Sequence, residues 1–164
     1  MPRINLKSNN KKVSMIATFL TVIFGILLFI IPSVLINIIP QSTLASFLIS
    51  HIYYAYAVLP ILFYITITGF YYYHIKIDTY IMYISSYRTI SGLLKASNYV
   101  ELPHDMLRQF SFFKRPFTLN TTLMLKIQDA SGKRIIRRFN LSFLSKSEEY
   151  RISEILEKII AKNS

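Results

Sequence analysis

Between Val13 and Ile75 the chain contains no Asp, Glu, Lys or Arg, and Ile, Leu, Phe, Val and Tyr dominate it. A soluble chain of 164 residues has too little else to cover so long an uncharged stretch, whereas a bilayer covers it directly. A spanning helix needs about 20 apolar residues to cross about 30 Å of hydrocarbon. Val13–Ile39 provides that length before the turn-forming Pro40-Gln41-Ser42-Thr43, and Leu44 to Tyr73 provides it again. The pattern therefore predicts a two-helix transmembrane hairpin, about 13–39 and 44–73, with both chain ends on one side. Residues 76–164 read as a soluble domain attached to it.

Charge is segregated in the same way. The net charge of +11 lies wholly outside the apolar stretch, and Arg3, Lys7, Lys11 and Lys12 make residues 1–12 a basic N-terminus. A secretory apolar core is about 7–15 residues long, so this much longer run reads as a retained anchor. Basic residues beside spanning segments stay cytoplasmic, so these four and Lys76 predict cytoplasmic termini, with Pro40–Thr43 facing outside.

Within the first span, Pro32 removes a backbone donor and predicts a bent helix end, and Asn37 is read as meeting water or headgroups. In the second, Phe70, Tyr71, Tyr72 and Tyr73 read as membrane-interface anchors of an aromatic belt. Tyr53 and Tyr56 would lie about 14–18 Å along a helix counted from Leu44, a depth at which phenols need partners. Either the span begins near His51, with Leu44–Ser50 in the interface, or these tyrosines pack against other helices; the later start is preferred.

From Tyr72 the pattern turns β-rich while charges return, without a flexible linker. Tyr72–Ile77 and Tyr80–Ser86 read as a hairpin across Asp78-Thr79, and Tyr99–Leu102 as a short strand. Leu107–Phe113 alternates imperfectly. Thr121–Gln128 alternates cleanly, and Asp129-Ala130-Ser131-Gly132 is turn chemistry leading into Lys133–Leu141. Arg137 falls on an otherwise apolar face of that last strand and is not explained by patterning. Ser145-Lys146-Ser147-Glu148 fits a capping box, opening a helix over 146–162 whose stripe is Ile152, Ile155, Leu156, Ile159 and Ile160.

The order of two apolar helices, antiparallel strands and one amphipathic C-terminal helix resembles the bacterial membrane-anchored pleckstrin-homology-like (PH-like) domain proteins. Tyr99–Leu102 leading through Pro103-His104-Asp105 into Leu107, the strand Thr122–Gln128, the turn at Ser131-Gly132, and Phe139-Asn140-Leu141-Ser142-Phe143-Leu144 before the helix carry the resemblance. It implies an antiparallel β-sandwich or partly open barrel plugged by the C-terminal helix, in a multi-pass protein of the bacterial inner membrane. Such a fold has seven strands. Six are placed above, which leaves Tyr87–Asn98 to provide the seventh.

No catalytic constellation emerges. The chain has no cysteine, and Gly25, Gly69, Gly92 and Gly132 are isolated, so neither a thiolate site nor a phosphate-binding glycine loop is present. His51, His74 and His104 do not assemble into a metal set, and His104-Asp105 after Pro103 is ordinary turn composition. The reading is of a non-enzyme without cofactor or metal. The stronger signal is basic: residues 76–164 carry fifteen Lys/Arg against eight Asp/Glu. Lys114, Arg115, Lys126, Lys133, Arg134, Arg137 and Arg138 fall on neighbouring strands or turns, as a face for anionic lipid or a protein partner, or as an ordinary solvated surface. Nucleic acid is not favoured, because no aromatic residues interleave with a basic groove. The expected role is a membrane-anchored scaffold binding membrane lipids or a protein, as a homo-oligomer or within a larger complex. The alternative is a small accessory subunit of a transporter or respiratory complex.

Overall fold

A computed structural model of the chain describes residues 5–89, 98–114, 116–129 and 131–163. The chain divides into two compact units, one of Met15–Gly69 and one of Phe70–Ser164 together with the residues up to Ser14. The soluble unit is thus built from both sides of the apolar stretch.

Among the described residues one helix, α1 (Lys11–Ile38), is long and apolar enough to cross a membrane. Its Ile26–Ile30 turn is π-helical and stands just before Pro32, whose ring would crowd the carbonyl four residues back in a tight helix. After the Pro40–Gln41 turn, the Ser42 hydroxyl caps α2 (Thr43–Ser50) by accepting from the Ala45 amide at 3.0 Å. The helix breaks at His51 and resumes as α3 (Ile52–Thr68), bent by 46° from α2. The second predicted span is therefore two shorter helices rather than one. Gly69 ends α3 at φ +65°, which a residue with a Cβ adopts only under strain.

The soluble unit contains two antiparallel sheets. The first has the order β1 (Leu6–Asn9), β2 (Tyr71–Ile77), β3 (Ile81–Arg88), β4 (Asn98–Pro103). The second has β5 (Leu107–Lys114), β6 (Asn120–Gln128), β7 (Arg134–Ser142), and α4 (Lys146–Asn163) follows. All six predicted strands and the C-terminal helix are present. Residues 1–12, expected as a basic tail, instead contain a strand whose Leu6 lies opposite Ile77 and whose Asn9 lies opposite His74. Among the described residues a seventh strand is thus Leu6–Asn9. Of the stretch Tyr87–Asn98 expected to supply it, Arg88 ends β3, Asn98 begins β4, and residues 90–97 lie outside the described residues.

Alternation explains which side chains make the core. Tyr73, Ile75 and Ile77 of β2, Leu123, Leu125 and Ile127 of β6, and Phe139 and Leu141 of β7 are buried at every second position. Leu6 from β1 joins them, and Ile152, Leu156 and Ile159 bring the buried stripe of α4 against the sheets. The capping box forms as predicted, the Glu148 amide donating to Ser145 Oγ at 3.2 Å and the Ser145 amide to Glu148 Oε2 at 3.4 Å. The same carboxylate accepts from Ser8 of β1 at 3.0 Å, tying the helix start to the N-terminal strand.

A polar knot closes one end of the unit. Asn10 is buried and donates from Nδ2 to the carbonyls of Tyr71 and Ser142, both at 2.8 Å, while its Oδ1 accepts from the Tyr73 amide at 2.9 Å. Ser142 Oγ accepts from the Tyr71 amide at 2.7 Å and donates to Asn120 Oδ1. The residue before α1 and the first residue of β2 are therefore held side by side.

Replacing Asn10 by Ala strands two carbonyls and one amide away from water, and should cost the soluble unit about 3 kcal/mol. Leu6→Ala should cost about 2–4 kcal/mol, and exposed Lys7→Ala less than about 0.5 kcal/mol. Denaturant titration of the full chain in detergent, followed by amide exchange at Tyr71 and Tyr73, checks all three; equal midpoints for N10A and K7A would contradict the knot.

Candidate functional site

Strand register separates the predicted basic residues. Lys126 lies opposite Ile136, Gln128 opposite Arg134, and Met124 opposite Arg138, so Lys126, Arg134 and Arg138 share the outer face of the second sheet. Arg137 lies opposite buried Leu125 and so belongs to the inner face, yet it is exposed. Lys133 stands in the β6–β7 turn, whose Gly132 has φ +79° and whose Asp129 carbonyl accepts from the Gly132 amide at 2.8 Å. Lys114 is at the opposite end of the sheet, 3.0 Å from Glu149 and so partly neutralised. Arg115 lies outside the described residues.

A groove of about 480 Å³ lies along the Lys126 end, lined by Arg108, Gln109, Lys126, Gln128, Arg134 and Ile136 among others. That size falls within the range of small-ligand clefts, about 300–1,000 Å³. Arg108 was not foreseen in the basic set. It sits in a register shift between Leu107 and Gln109, a bulge that turns its side chain towards Gln128 Oε1 at 2.8 Å and the Asn163 carbonyl at 2.9 Å. The signal was in the imperfect alternation: Leu107 and Phe110 both turn to the core although three residues apart, which requires one extra residue between them.

The aromatic run does not form one belt. Because Tyr71–Tyr73 enter a strand, successive rings point to opposite faces. Tyr73 is fully buried in the core, while Tyr72 packs on Tyr87 at 4.5 Å on the outer face of the first sheet. Phe70 packs on Phe143 at 5.2 Å, and Tyr71 is half-buried with its backbone held by Asn10 and Ser142. The anchor reading of Tyr73 is thereby corrected: once the helix stops at Thr68, that ring has a protein core to occupy.

The histidines stay apart. His51 Nδ1 lies 2.8 Å from the Phe47 carbonyl at the helix break. His74 packs on Tyr83 at 5.7 Å, and burial, then the nearby Lys7 and Lys76, lower its pKa. His104 opens a single 3-10 turn with exposed Asp105 behind it, and its pKa is lowered chiefly by burial. Among the described residues no three His, Asp or Glu side chains gather. Comparison with protein-family models, curated proteins and solved structures finds no match for the chain.

Both His74 and His104 bind a proton less readily folded than at their ordinary value of 6.5. The unfolded chain therefore takes up more protons below that pH, and stability should fall as pH drops through about 6.5. Denaturation midpoints measured between neutral and mildly acidic pH check this, and the double variant His74→Gln, His104→Gln should show a shallower decline.

Proposed function

We propose that the chain is a non-catalytic, membrane-anchored interaction or scaffold protein, with a PH-like domain held at the cytoplasmic membrane surface to bind a protein partner or anionic lipid. The observation that carries the reading is the Asn10 knot. The chain leaves the soluble unit and returns to it at hydrogen-bonded neighbours, Asn10 and Tyr71, 2.8 Å apart at Nδ2 and the carbonyl oxygen. An apolar segment that starts and ends at one place crosses a bilayer an even number of times. This supports a hairpin in which α1 crosses outward and the bent α2–α3 pair returns. Lys7, Lys11, Lys12 and Lys76 flank it and favour a cytoplasmic location for both ends.

Four strands, then three, then one C-terminal helix support the PH-like resemblance, with Leu6–Asn9 as the strand that completes it. A fold of this kind offers surfaces rather than chemistry, so function is sought in what it displays. Lys126, Arg134 and Arg138 project together from one sheet face, and among the described residues none of the three side chains forms an ion pair. Such a face suits an acidic partner.

Affinity purification of the full chain in mild detergent, with mass spectrometry of what is retained, tests the scaffold reading. A stoichiometric partner is expected with the native chain and should be lost when Lys126, Arg134 and Arg138 are all changed to Glu. Retention of a large transporter or respiratory assembly by both forms would make the protein an accessory subunit instead.

A further inference from the structure

We propose that the β5–β6 loop dips into the headgroup layer of the membrane, with Phe117 and Leu119 as the inserted side chains. The inference rests on the reading of α1 as a membrane span. Phe117 is 94 % exposed, more than any other large apolar residue described, and Leu119 and Phe113 beside it are 62 % and 52 % exposed. Phe117 also has φ +59°, a conformation that a bulky residue adopts only when its surroundings enforce it. A water-facing loop gains nothing from displaying such side chains.

Their place in the fold identifies what covers them. The Leu119 carbonyl accepts from the Phe143 amide at 3.0 Å, next to Ser142, which accepts from the Tyr71 amide and whose carbonyl receives Asn10. Leu119 and Asn120 thus belong to the knot from which α1 departs at Lys11. The loop and the start of the apolar helix share one end of the soluble unit. The chemistry around them suits a lipid interface: Lys11, Lys12 and Lys146 are exposed, whereas Glu148 is held by Ser8 and Ser145 and Glu149 by Lys114. Amphipathic surfaces of this composition lie with rings and aliphatic groups below the headgroups and ammonium groups above them.

The other end of the sheet is different. From Asn120 to Gln128, β6 runs about 26 Å, several times the Debye length of about 8 Å at physiological ionic strength. The groove residues Lys126 and Arg134 lie towards that far end, as does Tyr80 in the β2–β3 turn, 78 % exposed. Insertion of the loop would keep the basic groove clear of the headgroups, facing a protein partner rather than lipid.

The chain contains no tryptophan, so a single one reports its own position. Phe117→Trp, Tyr80→Trp and Phe24→Trp are each placed in the full chain, reconstituted in vesicles with and without brominated phospholipid, and excited selectively. Trp at 117 should emit to the blue and lose most of its intensity with brominated lipid, while Trp at 80 keeps a water-like spectrum. Trp at 24, inside α1, should be quenched whatever the loop does. Quenching at 24 with none at 117 would overturn the loop proposal alone, and equal quenching at 117 and 80 would overturn it too, because the loop would then be no nearer the lipid than the opposite end. Absence of quenching at 24 would overturn the spanning reading on which the proposal depends.

Discussion

A buried amide without partners is costly, and the three hydrogen bonds that satisfy Asn10 determine how this chain is put together. They join the residue before a long apolar helix to the strand that follows the apolar segment. Without them β1 would be held by pairing, by Leu6 and by the Ser8–Glu148 hydrogen bond, and the two passages of the chain out of the soluble unit would be free to separate. With them, the apolar stretch is an insertion between the first and second strands of a sheet. The sandwich is completed across that insertion, which is why its first strand lies in what looks like a mere tail.

The same knot organises the surfaces. Ser142 and Asn120 place the β5–β6 loop and the β7–α4 connection beside the chain's departure point, and Ser8 brings the α4 cap there as well through Glu148. Strand geometry then separates this apolar-tipped end from the basic groove at Arg108, Lys126 and Arg134. A face that looks uniform when cations are counted along the sequence becomes two regions in space. One has exposed Phe117 and Leu119, and the other has the groove cations with Tyr80 and Ile136 exposed near them.

Periodic features were legible in the sequence, whereas features made by distant residues were not. The alternation of Leu123, Leu125 and Ile127, the Asp129–Gly132 turn and the Ser145–Glu148 capping box are local and appear where expected. Leu6–Asn9 carries no strand signal by itself, because four residues between two asparagines, Lys7 among the four, become a strand only by pairing with β2. Tyr72 and Tyr73 fit both the end of the span and the start of a strand in the sequence, because aromatic residues suit an interface and a strand alike, and Gly69, with its positive φ, marks where the helix stops. Phe117 carried no pattern at all, because exposure of a loop tip depends on the fold around it.

In the proposed hairpin both ends of the apolar stretch lie on one side of the membrane, and the absence of cysteine makes this directly testable. Single cysteines at Lys12, Gln41 and Ser131 would be probed in intact cells with a membrane-impermeant thiol reagent, before and after permeabilisation. Gln41→Cys should be labelled from outside, while Lys12→Cys and Ser131→Cys should react only after the membrane is opened. Labelling of Lys12→Cys and Ser131→Cys from opposite sides would contradict it, because residues joined through Asn10 and Tyr71 cannot be separated by a bilayer.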